Sequence, residues 1–166
     1  MQFKQAYAHL MQSKAYLSWI EKNKDFFLAH GFILLDELNK DVWQLGFYCK
    51  AKDRMITFFV GKDTITISQE SEMFKKPDAV IKELVVDKVS IDLAEALETV
   101  EKVRQEHYQQ EPEKMFLILQ HGEHGQSYNV TLITKQMDII HIKVDASTGK
   151  VLEHHSTPLM SMMRQD

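Results

Sequence analysis

The sequence predicts an α+β fold, a tandem repeat of two units that each pack a helix on a curved antiparallel β-sheet. Three observations support this prediction. Apolar residues recur at helical spacing near the start of each half, they then alternate with polar residues, and short turns separate the alternating segments. Turns this short join antiparallel neighbours, because parallel strands need a crossover of about a dozen residues.

A helix over residues 3–28 is predicted to open the first unit. Its apolar stripe has members three, four or seven residues apart: Phe3, Tyr7, Leu10, Leu17 and Ile20. Gly31 is expected to stop this helix in the left-handed conformation, and a break near Asn23 also fits the pattern. The strands predicted to follow are residues 32–38, 43–49, 55–60 and 64–68.

The second unit repeats this order of elements. Ser90 is a suitable N-cap for a helix whose buried stripe is Leu93, Leu97, Val100 and Val103. Strands are predicted at residues 115–120, 128–132, 140–144 and 151–152. The predicted organisation is a first unit at 1–74, a connector at 75–89, a second unit at 90–156 and a loosely ordered tail at 157–166.

An internal repeat is suggested by the two central hairpins. The segment Trp43–Val60 can be laid over Tyr128–Asp145 without gaps, which pairs Phe47 with Leu132 and Met55 with Ile140. Identity between the segments is very low, so the match is one of pattern. The alternative is that two unrelated amphipathic hairpins align equally well.

The second half resembles the PepSY domain family. The residues that carry the resemblance are Ser90–Leu97, Tyr128–Val130 and the closing turn Val144–Leu152, and it covers about residues 88–156. The first half lacks the Thr-Gly-Lys turn and would be a diverged copy. The resemblance implies PepSY/cystatin-like units. It also implies a small non-catalytic module, in a family that is often secreted or membrane-attached and is proposed to inhibit peptidases or modulate partners.

Composition narrows the classes of partner. The 166-residue chain has a net charge of −4, so we expect no general attraction to nucleic acid. No apolar run approaches the roughly 20 residues that span a bilayer, and residues 1–10 lack a signal-peptide pattern. Cys49 is the single cysteine, which excludes an internal disulfide. We expect a cytoplasmic protein without membrane insertion, or an extracytoplasmic one if a signal was removed.

One sheet face of the first unit is a candidate binding surface. Tyr48, Ile56, Phe58 and Val60 are predicted to lie together on an outer face, opposite Phe47, Met55 and Phe59. A small sheet with one covering helix should leave its second face polar, yet both faces here are apolar. The outer face is therefore expected to be covered by the second unit, by another subunit or by a partner.

Candidate chemistry is limited to a few residues. His121 and His124 flank a glycine turn and are weak metal candidates, because a zinc site needs three or four converging ligands. His154 and His155 are neighbours on a strand and should point to opposite faces. Cys49 alternates in phase with buried positions, and Asp145 and Gly149 suit a structural turn.

No nucleophile elbow or phosphate-binding loop is present, so we expect no enzyme and no cofactor. The leading hypothesis is a non-enzymatic binding or regulatory module that acts through a sheet face or the groove between the units. The alternatives are a structural subunit of a homo-oligomer and a metal-binding protein that uses its loop histidines.

Overall fold

The computed structural model describes residues 1–72, 75 and 78–160. In that part of the chain three α-helices and a short 3₁₀ helix (Val86–Lys88) accompany nine strands. The α-helices are α1 (Phe3–Met11), α2 (Lys14–Ile20) and α3 (Leu93–His107). The strands are β1 (Phe27–Leu34), β2 (Trp43–Cys49), β3 (Arg54–Val60), β4 (Ile65–Ile67), β5 (Ser71–Glu72), β6 (Pro112–Gly122), β7 (Gly125–Thr134), β8 (Asp138–Asp145) and β9 (Val151–Pro158).

All nine strands belong to one antiparallel sheet. Its order is β4-β3-β2-β1-β6-β7-β8-β9, and β5 pairs with the start of β3. The pairing of β1 with β6 joins the strands of the two halves, with Ile33 opposite Leu117. The predicted α+β class with antiparallel strands is confirmed.

The helices cover one face of this sheet, the helical face. The apolar side chains of this face pack against Phe3, Ala6 and Leu10 of α1. They also pack against Ala96 and Val100 of α3. Fully buried residues from the strands include Trp43, Ile33, Leu45, Phe58, Leu117, Leu119, Tyr128, Leu132 and Ile140. Burial of this continuous apolar layer is the main source of stability.

The first predicted helix is too long. The chain is helical only to Ile20, with a break where Ser13 caps α2 by accepting a hydrogen bond from the Tyr16 N–H at 3.2 Å. Residues 27–34 form β1, and Gly31 lies inside that strand rather than at a helix end. A side chain at Gly31 would meet the Phe3 ring at 3.1 Å, so the glycine permits close packing of α1 on the sheet.

The cap of α3 also differs from the prediction. Asp92, not Ser90, is the N-cap, and its carboxylate accepts the Glu95 N–H at 2.8 Å. Behind this cap the buried Tyr128 hydroxyl donates to the Ile91 carbonyl at 2.8 Å. The start of α3 is therefore tied directly to β7.

The segment between the units crosses from the outer face of the sheet to the helical face. Ile81 packs against Ala29, Tyr48 and Met55 on the outer face. Three residues later, Leu84 is buried in the main core and donates its N–H to the Leu28 carbonyl at 2.8 Å. The connector thus covers part of the outer face of the first unit.

The predicted unit boundaries stay a prediction, since the sheet runs through both halves. Residues 76–77 of the predicted connector and residues 161–166 of the predicted tail lie outside the described residues. Within the described ranges, no helix is long and apolar enough to cross a membrane.

Candidate binding site

The predicted outer-face cluster is divided between the two faces. Tyr48 lies on the outer face beside Met55, but Ile56, Phe58 and Val60 belong to the main core together with Phe47. The prediction was therefore wrong for these three residues.

The cause is the turn between β2 and β3. Asp53 adopts a left-handed conformation with φ of 52°, and Cys49 pairs directly with Arg54. Phe47 consequently faces Ile56, not Met55. A shift of one residue in register moves every side chain of a strand to the opposite face.

The two loop histidines are not brought together with a third ligand. His121 Nδ1 lies 2.9 Å from the Glu83 carbonyl oxygen, while His124 is exposed on the turn. Over residues 1–72, 75 and 78–160, no group of three or more His, Cys, Asp or Glu side chains is placed to hold a metal ion.

Cys49 and the closing turn have the structural positions that their patterns predict. Cys49 is fully buried, and its thiol lies 3.1 Å from an Asp25 carboxylate oxygen. The Asp145 carboxylate accepts the N–H groups of Ser147 and Thr148, and Gly149 has a positive φ of 79°. The turn geometry accounts for both Asp145 and Gly149.

Part of the outer face remains apolar beyond the connector. Phe32 and Phe116 lie there with ring centres 5.8 Å apart, at the pairing of β1 with β6. Leu34 and Ile118 occupy the same face, and all four side chains are half-buried. The sequence predicted an apolar outer face on β2 and β3. The structure instead has an apolar stripe on the outer face of β1 and β6.

A cavity of about 540 Å³ opens on the helical side between the first unit and the connector. We call it the connector cleft. Its walls are α1, α2, the start of β1 with part of β2, and the connector segment 83–87. Its lining residues are Lys4, Tyr7, Tyr16, Phe26, Phe27, Leu28, Phe47, Glu83, Leu84, Val85, Val86 and Asp87.

The aromatic wall of the cleft is held by edge-to-face packing. Trp19 stands behind it, with its ring centre 5.1 Å from Phe26 and 5.6 Å from Phe47. Tyr16 lies 5.7 Å from Phe47 in the same cluster. The Trp19 indole N–H is buried without a hydrogen-bond partner among the described residues.

The charged side chains that line the cleft are exposed and have no partners among the described residues. The side chains of Lys4, Glu83 and Asp87 make no hydrogen bond or ion pair with another described residue. Burial raises the pKa of the Tyr7 phenol, and the charges of Glu83 and Asp87 raise it further. Burial likewise raises the pKa of Tyr16. Both phenols therefore keep their protons at neutral pH and can donate hydrogen bonds.

This cleft is not the groove between the units that the sequence suggests as one possible binding site, because none of its lining residues belongs to 90–156. The sequence places Tyr7 on a buried helix stripe, and Glu83 and Asp87 in the connector. Their meeting depends on the connector returning to the helical face at Leu84, which no local pattern reveals.

Comparisons with known proteins add a fold likeness. No protein-family model matches the chain, and no curated protein matches it. A similar solved structure is the crystal structure of a protein named "putative lipoprotein" from Clostridium difficile 630. The superposition has a TM-score of 0.55 at 17% sequence identity and covers 86% of this chain and 90% of the other. At this identity the likeness concerns the fold alone.

Proposed function

We propose that the protein is a non-enzymatic binding or regulatory module whose ligand site is the connector cleft. The observation that carries the proposal is a cavity of about 540 Å³ that combines aromatic walls with the exposed charged side chains of Lys4, Glu83 and Asp87. Ligand pockets have volumes of about 300–1,000 Å³ and combine mostly apolar walls with a few convergent polar groups.

The lining defines the chemistry of a suitable ligand. Rings of Phe26 and Phe47 offer contact to an apolar or aromatic body, and the phenol of Tyr16 can donate to a polar atom. Glu83 and Asp87 contribute two negative charges against the single positive charge of Lys4. A small apolar molecule or side chain with a positively charged group is therefore the preferred ligand, since aromatic faces also attract cations.

A matched set of probes tests this proposal. Phenylethylamine, phenylethyl alcohol and phenylacetate share one ring and differ in charge. In amide NMR titrations we expect the amine to shift residues 7, 16 and 83–87 most strongly and phenylacetate least. If none of the three probes perturbs these residues, the cleft is not the binding site.

Charge variants sharpen the test. We expect the double variant Glu83→Gln/Asp87→Asn to weaken amine binding while alcohol binding persists. The matched control removes two exposed carboxylates of α3, Glu98→Gln and Glu106→Gln, and should leave both affinities unchanged. Equal loss in the control would show a general charge effect and would contradict a specific site.

A homo-oligomeric subunit is a second candidate, and the half-buried stripe of Phe32 and Phe116 favours it. A second copy would cover this stripe and extend the apolar contact across the sheet. Light scattering at micromolar concentration distinguishes the two functions. If the protein is a monomer and binds the probes, the homo-oligomer proposal is contradicted and the binding-module proposal is supported.

The family relationship and the compartment are further proposals. A PepSY-like origin for residues 88–156 is supported by the capped helix before the sheet and by the turn at Asp145–Gly149. A single buried cysteine supports a cytoplasmic location, whereas the lipoprotein name of the similar structure supports an extracytoplasmic one. Fractionation of native cells, followed by detection of the protein, separates these two locations.

A further inference from the structure

The adjacent histidines of β9 each meet another histidine, on opposite faces of the sheet. His155 lies on the outer face directly opposite His141 of β8, and their ring centres are 5.0 Å apart. His154 lies on the helical face, where its ring centre is 4.5 Å from that of His107. Two histidine pairs therefore flank one strand.

The spacing of the outer pair suits a shared metal ion. A zinc-bound imidazole nitrogen lies about 2.0–2.1 Å from the metal, and the ring centre lies roughly 1.1 Å behind it. Two rings bound at a tetrahedral angle therefore have centres about 5 Å apart. The separation of His141 and His155 has this value without any movement of the strands.

The hydrogen bonding of His141 also suits a metal. His141 Nδ1 lies 3.3 Å from the Thr131 hydroxyl oxygen. An Nδ1–H that donates to this oxygen leaves Nε2 free as a ligand, which is the usual arrangement around metal-bound histidines.

The surroundings leave room for further ligands. The two rings line a concavity of about 250 Å³ together with Asn129, Lys143 and Glu153. Lys143 and Glu153 form an ion pair at 3.2 Å, so the Glu153 carboxylate is held by the lysine. We infer that His141 and His155 form an open two-imidazole site for a divalent transition-metal ion such as Zn²⁺ or Cu²⁺, with water in the remaining positions; it is not a structural zinc site, which has four protein ligands.

The inner pair is a natural control. His154 Nδ1 is held by the Tyr108 hydroxyl at 2.8 Å, and His107 is the last residue of α3 beside the exposed Glu106. None of the concavities described above includes His107 or His154. The outer pair, in contrast, is fixed on two paired strands.

Calorimetric titration of the untagged full chain with Zn²⁺, and separately with Cu²⁺, tests the inference. We expect one equivalent to bind, and His141→Asn or His155→Asn to weaken binding by at least about tenfold. His107→Asn and His154→Asn should change the affinity less than about twofold, since neither residue touches the ion. Wild-type protein that binds neither ion, or outer variants that bind as well as wild type, would overturn the site.

Two additional measurements keep the result interpretable. Circular dichroism of each variant should match wild type, and His155→Asn should also keep the wild-type unfolding temperature, because His155 is exposed. Cu²⁺ should broaden the NMR signals of His141 and His155 before those of other residues. Broadening confined to His107 and His154 would place the ion on the wrong face of β9.

Lys143 gives an independent check. Lys143→Gln removes a positive charge from the concavity and releases Glu153 as a possible third ligand. We expect the Zn²⁺ affinity to rise, and Glu153→Gln in the same background to reverse the gain. A lower affinity in Lys143→Gln would contradict an ion bound in this concavity.

Discussion

The two halves of the sheet pack against their helices with different kinds of side chain. The first half uses aromatic rings, among them Phe47 and Phe58, under the short helices α1 and α2 of nine and seven residues. The second half uses mostly aliphatic side chains, such as Leu132 and Ile140, under the single 15-residue helix α3. The connector cleft lies on the aromatic side.

The largest effect expected from this comparison is at Phe58. Its ring is fully buried against Tyr16, Trp19 and Phe47, so Phe58→Ala should lower the free energy of unfolding by about 3–5 kcal/mol. The neighbouring Phe59 lies on the outer face and is 36% exposed. Urea unfolding should show a much smaller loss for Phe59→Ala. Equal losses would mean that the two faces are assigned wrongly.

A smaller loss of stability is expected when the hydroxyl of Tyr128 in the second half is removed, and almost none when that of Tyr7 in the first half is removed. Tyr128→Phe removes the buried hydrogen bond to the Ile91 carbonyl and should cost about 1–2 kcal/mol in urea unfolding. Tyr7→Phe removes a phenol that has no hydrogen-bond partner among the described residues. It should leave stability nearly unchanged, and its effect should be confined to probe binding in the cleft.

Asp145 should contribute about 1 kcal/mol through its two backbone hydrogen bonds, a loss that Asp145→Ala reveals at neutral pH. Burial raises the pKa of this carboxyl, but the hydrogen bonds from Thr148 and Ser147 and the charge of Lys150 together lower it overall. The contribution is therefore present above the unfolded pKa of about 4 and is lost as pH falls through the lower folded value.

Unfolding of wild type and Asp145→Ala across acidic pH checks this dependence. The difference in stability between the two proteins should shrink as the solution is acidified below about pH 4. A difference that grows on acidification would contradict a carboxylate that is stabilised in the folded state.

The smallest expected effect concerns Tyr48 in the hairpin of the first half. Its hydroxyl donates to Asp53, and this hydrogen bond together with burial raises the pKa of Tyr48 to about 12. Tyr48→Phe should cost about 0.5–1 kcal/mol. The stabilisation is complete below the ordinary tyrosine pKa of 10.0 and is lost as pH rises through about 12.

Ultraviolet titration provides the measurement for Tyr48. One phenol should ionise near the raised value, and that step should disappear in Tyr48→Phe. Asp53→Asn is the matched variant that keeps the ring, and it should move the ionisation to lower pH. An unchanged titration in Asp53→Asn would remove Asp53 as the cause.

The sequence predicted the fold class because its periodicity is local. β2 has the predicted limits Trp43–Cys49, where apolar and polar residues alternate clearly. The first helix was extended too far because Phe27 and Leu28 fit either a helix stripe or a strand. These residues form a strand because β1 pairs with both β2 and β6.

Register and the cleft could not be predicted for two different reasons. The ungapped match of the hairpins aligns Met55 with Ile140, but Met55 is on the outer face and Ile140 is in the core. The loops differ by one residue, because Cys49 pairs with Arg54 whereas Ile133 pairs with Ile139. The cleft depends on contacts between residues far apart in sequence, which no local pattern contains.

The pairing of β1 with β6 has a consequence for truncated forms of the protein. Separated from each other, the halves would each present a bare strand edge, with unsatisfied backbone groups beside apolar side chains such as Ile33 and Leu117. Such edges recruit other chains into aggregates. In the full chain β1 and β6 hydrogen-bond to each other and leave neither edge bare. We therefore expect either half to aggregate more readily when it is expressed alone.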